Sequence, residues 1–293
     1  MSRFLSEEIE PKRANATAIL YRDLWERLAS PRLGQRLVGD VTFADVAALH
    51  HEFRTTPVTA NRLVAVLSSL FSWCERHGLR QPRTNPAFGI QKFPEKGRER
   101  FLTPDELARL GNALKTAETA KSESLYVLAA IRLLIFTGCR RNEILTLRWD
   151  SVDLERNCIF LKESKTGART VHLSAPAIGI IKSIPRQKDN PFVIVGEREG
   201  QHLVNLRKPW LRISTAATIE GVRLHDLRHS FASVGVSDGL SLPVIGKLLG
   251  HTKASTTMRY SHLAVDPVKQ ANDAIGLIIA RSLSGEGRSD ENP

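Results

Sequence analysis

The sequence predicts a mainly α-helical protein with one small β-hairpin, organised as two domains. Three observations carry this expectation. Apolar residues recur at helical spacing along most of the chain. Only Cys158 to Leu161 and Thr170 to Leu173 are rich in β-prone side chains, around a Lys-Thr-Gly turn. Between Gly78 and Leu102, proline, glycine and charge gather without periodicity, as in an interdomain linker. The expected division is a helical domain over residues 1–95, a linker to about residue 102 with the boundary near Lys96, and a second domain over 103–283. The polar tail 284–293 is expected to be disordered.

In the first domain, Leu20, Leu24 and Leu28 are expected to share a helical face, and Thr42 with Asp45 to cap a helix carrying Val46, Leu49 and Phe53. From Pro57 to His77, Leu63, Leu67, Leu70 and Cys74 mark a buried stripe, and Gly78 supplies the stop. The opposite side carries Asn61, Arg62, Ser69, Ser72 and Arg76. Two readings stand for it: contacts to a DNA backbone, for which Asn61, Arg62 and Arg76 are the candidates, or an ordinary solvated face.

In the second domain, Thr103, Pro104 and Glu106 form a capping box ahead of Leu107 and Leu110, and an apolar helix runs from Ser124 to Phe136. The hairpin follows, with Lys165 at its tip. Helical pattern returns from Asn205, with Ser241 placed to cap LPVIGKLLG and a last apolar segment from Val268 to Leu283. No internal repeat is visible.

The 293 residues carry 42 Lys and Arg against 31 acidic side chains, a net charge of +11, which favours a polyanionic partner such as nucleic acid. Cys74, Cys139 and Cys158 show no C-x-x-C spacing, and a reducing cytosol suits them. The start, MSRFLSEEIEPK, lacks the apolar core of a signal peptide, and LYVLAAIRLLIF is short and broken by Arg132. A cytoplasmic protein without a membrane span is expected.

A reactive constellation is confined to the second domain. Arg140 and Arg228 offer guanidinium forks suited to the non-bridging oxygens of a phosphodiester. His225 and Arg228, three residues apart, face one way on a helix. His251 follows a helix closed by Gly250, where it reaches a site or merely caps the helix. Tyr260 is a candidate nucleophile, given cationic neighbours or a base to take its proton. Lys165 suits the role of proton donor to a departing sugar oxygen. The string His225-Asp226-Leu227-Arg228-His229 comes close to H-E-x-x-H, but Asp replaces the Glu, Arg228 would sit beside a dication, and no third ligand is identifiable. No metal is therefore expected, and His229 reads as a packing or hydrogen-bonding histidine. No phosphate-binding loop with Gly-Lys-Ser/Thr is present, so ATP hydrolysis is not expected.

Together TGCRRNEILTLRW, SKTGARTVHLS, LHDLRHSFAS, KLLGH and TTMRYSHL resemble the tyrosine recombinase, or phage integrase, family over about residues 100 to 265. TANRLVAVLSSLFSWCERHG resembles that family's helical core-binding domain less specifically. The resemblance implies a two-domain C-shaped clamp around DNA, with Arg140, Lys165, His225, Arg228 and His251 forming a pocket and Tyr260 attacking the scissile phosphate. It implies a 3′-phosphotyrosine and a free 5′-hydroxyl as products, no nucleotide cofactor or metal, and Glu143 as a support for the pocket.

It further implies homo-tetramers on double-stranded DNA in which a C-terminal segment docks on a neighbour. Val268 to Leu283 is the candidate, although its apolar face would equally close its own domain. Arg141-Asn142 stands where Ile-Ser is common, leaving Arg140 and Glu143 in register, and an arm-binding domain is not expected. The expected function is integration or excision of a mobile element, acting on the nucleoid, with an accessory DNA-bending or directionality protein as a possible partner. The alternatives are a Xer-type dimer resolvase, a type IB topoisomerase-like activity, a non-catalytic DNA-binding relative and, last, a zinc hydrolase built on the His225–His229 string.

Overall fold

The computed structural model describes residues 1–95, 97–162, 167–263 and 267–284. Lys165 at the expected hairpin tip, Lys96 at the expected boundary and residues 285–293 of the expected tail lie outside these. The chain is mainly helical with one small antiparallel sheet, and it divides into two compact units, Met1–Arg98 and Glu99–Pro293.

The first unit is built from α1 (Ser2–Phe4), α2 (Asn15–Leu24), α3 (Ser30–Leu33), α4 (Phe43–Glu52) and α5 (Pro57–Arg76). Wider helical turns at Leu5–Ile9 and Trp25–Ala29 continue α1 and join α2 to α3. Thr42 caps α4 as the sequence suggests: its hydroxyl accepts the Asp45 N–H at 3.3 Å, and the Asp45 carboxylate accepts the Thr42 N–H at 2.9 Å. Helix α5 is the spine of the unit, burying Leu63, Val64, Leu67, Leu70, Phe71 and Cys74, and Gly78 follows its end at φ +67°. Leu20 departs from expectation and is exposed; the buried positions of α2 are Ala18 and Leu24. A row of residues four apart drifts around a cylinder with 3.6 residues per turn, so one end of it leaves the core face.

The second unit has α6 (Pro104–Thr119), α7 (Leu125–Thr137), α8 (Arg141–Leu145), strands β1 (Val152–Asp153), β2 (Cys158–Leu161) and β3 (Arg169–His172), then α9 (Ala175–Ser183), α10 (Arg207–Ala216), α11 (Asp226–Ser237), α12 (Leu242–Leu249), α13 (Ala254–Thr257) and α14 (Pro267–Ser284). Both bonds of the Thr103–Glu106 capping box form at the start of α6, and the Ser124 hydroxyl caps α7 by accepting the Val127 N–H. Helix α7 runs through the core, with Leu128, Ile131, Leu133 and Leu134 each at most 2% exposed. Side chains buried to that degree contribute roughly 2 kcal/mol each relative to exposure.

The sheet runs β1-β2-β3, with Ile159 opposite Val171 and Leu161 opposite Arg169. Strand β1 was not foreseen, because two residues carry no alternation to read. Ser241 occupies the start of α12, but its hydroxyl caps no amide. Pro243 stands in the first turn and lacks one of the N–H groups the hydroxyl would have met. Among the described residues, no helix is long and apolar enough to cross a membrane.

Candidate active site

The site is assembled where α7 ends, α8 and α11 begin, and α12 ends. Thr137-Gly138-Cys139 turns the chain out of α7, and Gly138 sits at φ +59°. A Cβ there would meet Phe231 at 2.7 Å and Leu249 at 2.9 Å, so only glycine lets this turn press against α11 and α12. Arg140 then starts α8, its side chain 22% exposed.

Glu143, one turn on and buried, collects three donors: the Arg140 backbone N–H at 2.8 Å, Arg140 Nη1 at 2.8 Å and Arg169 Nη2 at 2.8 Å. Burial alone would raise its pKa, yet these bonds and the Arg169 charge outweigh it and hold the carboxyl below the usual range. Glu143 is thereby ionised at neutral pH and fixes two guanidinium groups at once.

Arg228, on the first turn of α11, is 4% exposed. It donates from Nη1 to Gly138 O at 2.7 Å and from Nη2 to Leu249 O at 2.6 Å, joining the end of α7 to the end of α12. Burial, reinforced by repulsion from Arg140 and Arg169, lowers its pKa to about 10, which leaves it charged at neutral pH. Arg140 and Arg169 on one carboxylate, with the charge of Arg228 beside them, leave a net positive cluster suited to an oxyanion.

His225 directly precedes α11 and is exposed. The protein packed behind its ring, together with the Arg228 charge, still lowers its pKa. Gly250 ends α12 at φ +68° and delivers His251, whose Nδ1 lies 2.9 Å from the Thr257 hydroxyl. Burial, then Arg228, lowers the His251 pKa to about 4, so its imidazole is neutral at physiological pH. Tyr260 is 4% exposed in an apolar cluster with Ala232, Val236, Ile245 and Leu249, and its hydroxyl lies 2.5 Å from His229 Nδ1. Burial raises its pKa against the opposing pull of Arg259 and Arg228.

Of the residues the sequence singled out, Arg140, Glu143, His225, Arg228, His251 and Tyr260 thus lie on elements that meet in the second unit, and Lys165 lies outside the described residues. Sequence reasoning missed Arg169. Its side chain is 10% exposed, and it donates to Leu248 O at 3.1 Å as well as to Glu143. An arginine at the end of a hairpin strand looks like a solvated charge, and nothing local marks it as buried. Thr257 was missed for the same reason.

The candidate DNA contacts in the first unit need one correction. Asn61 is 3% exposed: its side chain accepts the Phe93 N–H, donates to Phe93 O and Glu95, and meets His50 Nε2 at 3.0 Å. It stitches residues 93–95 onto α4 and α5 and is not a surface contact. Its amide supplies both donor and acceptor, which is what an extended backbone strand packed against a helix requires. Arg62 is exposed, and Arg76 is exposed with a 3.3 Å ion pair to Glu8. Among the described residues, no three His, Cys, Asp or Glu side chains gather as metal ligands.

Residues 100–266 match the model of the phage integrase family. Tyrosine recombinase XerD of Neisseria meningitidis is 27% identical over 256 residues, spanning 83% of this chain and 86% of that protein. A shufflon-specific DNA recombinase of Escherichia coli is 32% identical over 230 residues, 76% of this chain and 56% of that one. The fold is shared with the Tn1549 transposon integrase in complex with transposon right end DNA, at TM-score 0.72 and 17% identity, covering 94% of this chain and 98% of that one. It is likewise shared with a lambda integrase dimer bound to a COC′ core site, at TM-score 0.71 and 19% identity, covering 88% and 93%. The chain belongs to the phage integrase family, the tyrosine recombinases, enzymes that break and rejoin DNA strands.

Proposed function

We propose that this protein is a site-specific recombinase that integrates or excises a mobile element, with Tyr260 attacking the scissile phosphate to give a 3′-phosphotyrosine and a free 5′-hydroxyl. The observation that carries the reading is the pair Arg140 and Arg169 held on the single carboxylate of Glu143, with Arg228 fixed beside them by Gly138 O and Leu249 O, on elements that also carry His225, His251 and Tyr260. Arg140 and Arg228 grip the non-bridging oxygens; Glu143, itself held by Arg169, keeps Arg140 in place, and Gly138 O and Leu249 O keep Arg228 in place. Their positive field stabilises charge that grows on the phosphoryl group during attack. His251, with Nδ1 engaged by Thr257, presents Nε2 to the same phosphate, and His225 binds it from the rim. Lys165 protonates the leaving oxygen. The phosphoester energy is kept in the covalent intermediate, so strand exchange proceeds without nucleotide cofactor or metal.

The partner is double-stranded DNA in the nucleoid, gripped by the first unit through Arg62 and Arg76 and by a homo-tetramer of chains. Helix α14 is the segment that docks between copies, for it leaves Ile275, Leu277, Ile278, Ile279 and Leu283 exposed. An accessory DNA-bending or directionality protein would set the outcome. A second reading, a Xer-type dimer resolvase, is favoured by the likeness to tyrosine recombinase XerD across most of the chain.

The test uses duplex DNA selected from a random pool by binding to the full chain, then lightly nicked so that a short fragment beside the scissile phosphate is lost after cleavage. Wild-type protein is expected to become covalently trapped, and Tyr260→Phe to form no adduct. An adduct of equal yield in Tyr260→Phe would remove Tyr260 from the reaction. Plasmids bearing the selected site then separate the two readings: joining of separate molecules supports integration, and resolution of dimers alone supports the second.

A further inference from the structure

A buried phenol does not ionise unaided at neutral pH, and the Tyr260 hydroxyl sits where little solvent reaches it. Among the described residues its hydrogen-bond partner is His229, at 2.5 Å from Nδ1 to Oη. His229 stands one residue after Arg228 and one helical turn after His225, whose ring meets it edge-on with centroids 5.0 Å apart. His251 is differently engaged, with its Nδ1 on Thr257.

We propose that His229 is a further catalytic residue, the base that takes the Tyr260 proton as the phenolic oxygen attacks phosphorus, an inference that rests on the recombinase reading above. The bond from Oη to phosphorus forms as the bond from phosphorus to the 5′-oxygen breaks. The phenolic proton passes to Nδ1, and a separate donor protonates the 5′-oxygen. On rejoining, a 5′-hydroxyl attacks phosphorus and gives its proton back to that separate donor, the bond from phosphorus to Oη breaks, and the His229 imidazolium returns its proton to the departing Tyr260 oxygen. Each cycle therefore leaves His229 as it began.

The surroundings suit a base that rests neutral. Burial, with His225 and Arg259 adding repulsion, lowers the His229 pKa to about 4, so the imidazole is neutral at neutral pH, and in the tautomer protonated at Nε2 its Nδ1 lone pair accepts the phenolic O–H. The charged and titratable groups around the ring are His225, Asp226 and Arg228 from its own helix side and Arg259 and Tyr260 from the segment Met258–Leu263. Asp226 favours the imidazolium and the arginines oppose it. A bound phosphodiester adds the negative charge that lets the imidazolium form only when substrate is in place.

The experiment is single-turnover cleavage of the same selected, nicked DNA by wild type, His229→Ala and His229→Asn, with DNA binding and thermal melting recorded for each. Asparagine keeps an acceptor oxygen near Nδ1 and holds the phenol, but it takes no proton. Both variants are expected to bind DNA normally and to cleave roughly 10²–10⁴-fold more slowly, the usual contribution of a general base. Their rates should climb with pH as the phenol ionises directly, more steeply than the wild-type rate. His229→Asn cleaving at the wild-type rate, or a pH profile parallel to wild type, would overturn the assignment. Where His229→Ala melts early, His229→Asn decides. Absence of any wild-type adduct, or its persistence in Tyr260→Phe, would instead defeat the recombinase reading, so the two failures are distinguishable.

Discussion

Arg169 and Glu143 form a 2.8 Å ion pair between strand β3 and helix α8, with side chains 10% and 7% exposed. Through it the hairpin is tied to the segment that carries Arg140, and Arg169 reaches on to the last turn of α12 at Leu248 O. Arg169→Ala would leave a buried carboxylate with Arg140 alone and a carbonyl without its donor. The expected cost is about 3 kcal/mol, seen as an earlier thermal transition, together with loss of covalent trapping. Unchanged melting would show that the pair is not part of the frame.

Gly138 and Gly78 separate two costs of a side chain. Both have positive φ, +59° and +67°, but a Cβ at Gly138 would strike Phe231 and Leu249, whereas nothing lies within 4 Å at Gly78. Gly78→Ala should cost about 1 kcal/mol, the left-handed strain alone. Gly138→Ala adds overpacking of roughly 1–3 kcal/mol and should also impair cleavage by displacing Arg140. Equal losses from paired denaturant titrations would contradict this.

Acid should weaken the fold before its carboxylates titrate. His229 and His251, each lowered to about 4 from an ordinary 6.5, bind fewer protons folded than unfolded between those values. Stability therefore rises with pH across that window and falls as acid is added below about 6.5. Glu106, lowered to about 2 chiefly by its bond to Arg100, contributes in the same direction only below about 4.5. Unfolding free energies measured from pH 7 to pH 4.5 should decline in wild type and less in a His229→Gln, His251→Gln double variant.

Asn61 and Arg62 are neighbours in sequence with opposite expected behaviour. Asn61→Ala strands the buried partners around His50 and Phe93 and should destabilise the first unit by about 1–3 kcal/mol, with no change in how DNA binding depends on salt. Arg62→Ala should leave melting unaltered and reduce the salt slope by about 0.9, the value for one phosphate contact. Binding isotherms over a range of salt concentrations check both.

Much of this was legible in the chain. The capping boxes at Thr42 and Thr103 and the stripe of α5 follow from local chemistry, because a cap or an amphipathic face is written within one turn or one helix. The cluster of Arg140, His225, Arg228, His251 and Tyr260 was legible through motif spacing. What was hidden depends on distance along the chain. Arg169 finds Glu143 only after the hairpin folds back, Asn61 is buried by residues 93–95 that read as linker, and His229 finds Tyr260 across 31 residues. The periodicity of α5 placed Asn61 on a polar side without showing that a second stretch of chain would cover it.

The most direct measurement is mass spectrometry of the peptide that remains attached to DNA after wild-type protein is trapped on the selected, nicked duplex and digested. The chain holds three tyrosines, Tyr21, Tyr126 and Tyr260. The expected result is a nucleotide joined through its 3′-phosphate to Tyr260. A nucleotide on Tyr21, Tyr126 or any serine, or cleaved DNA with no protein attached, would contradict the account.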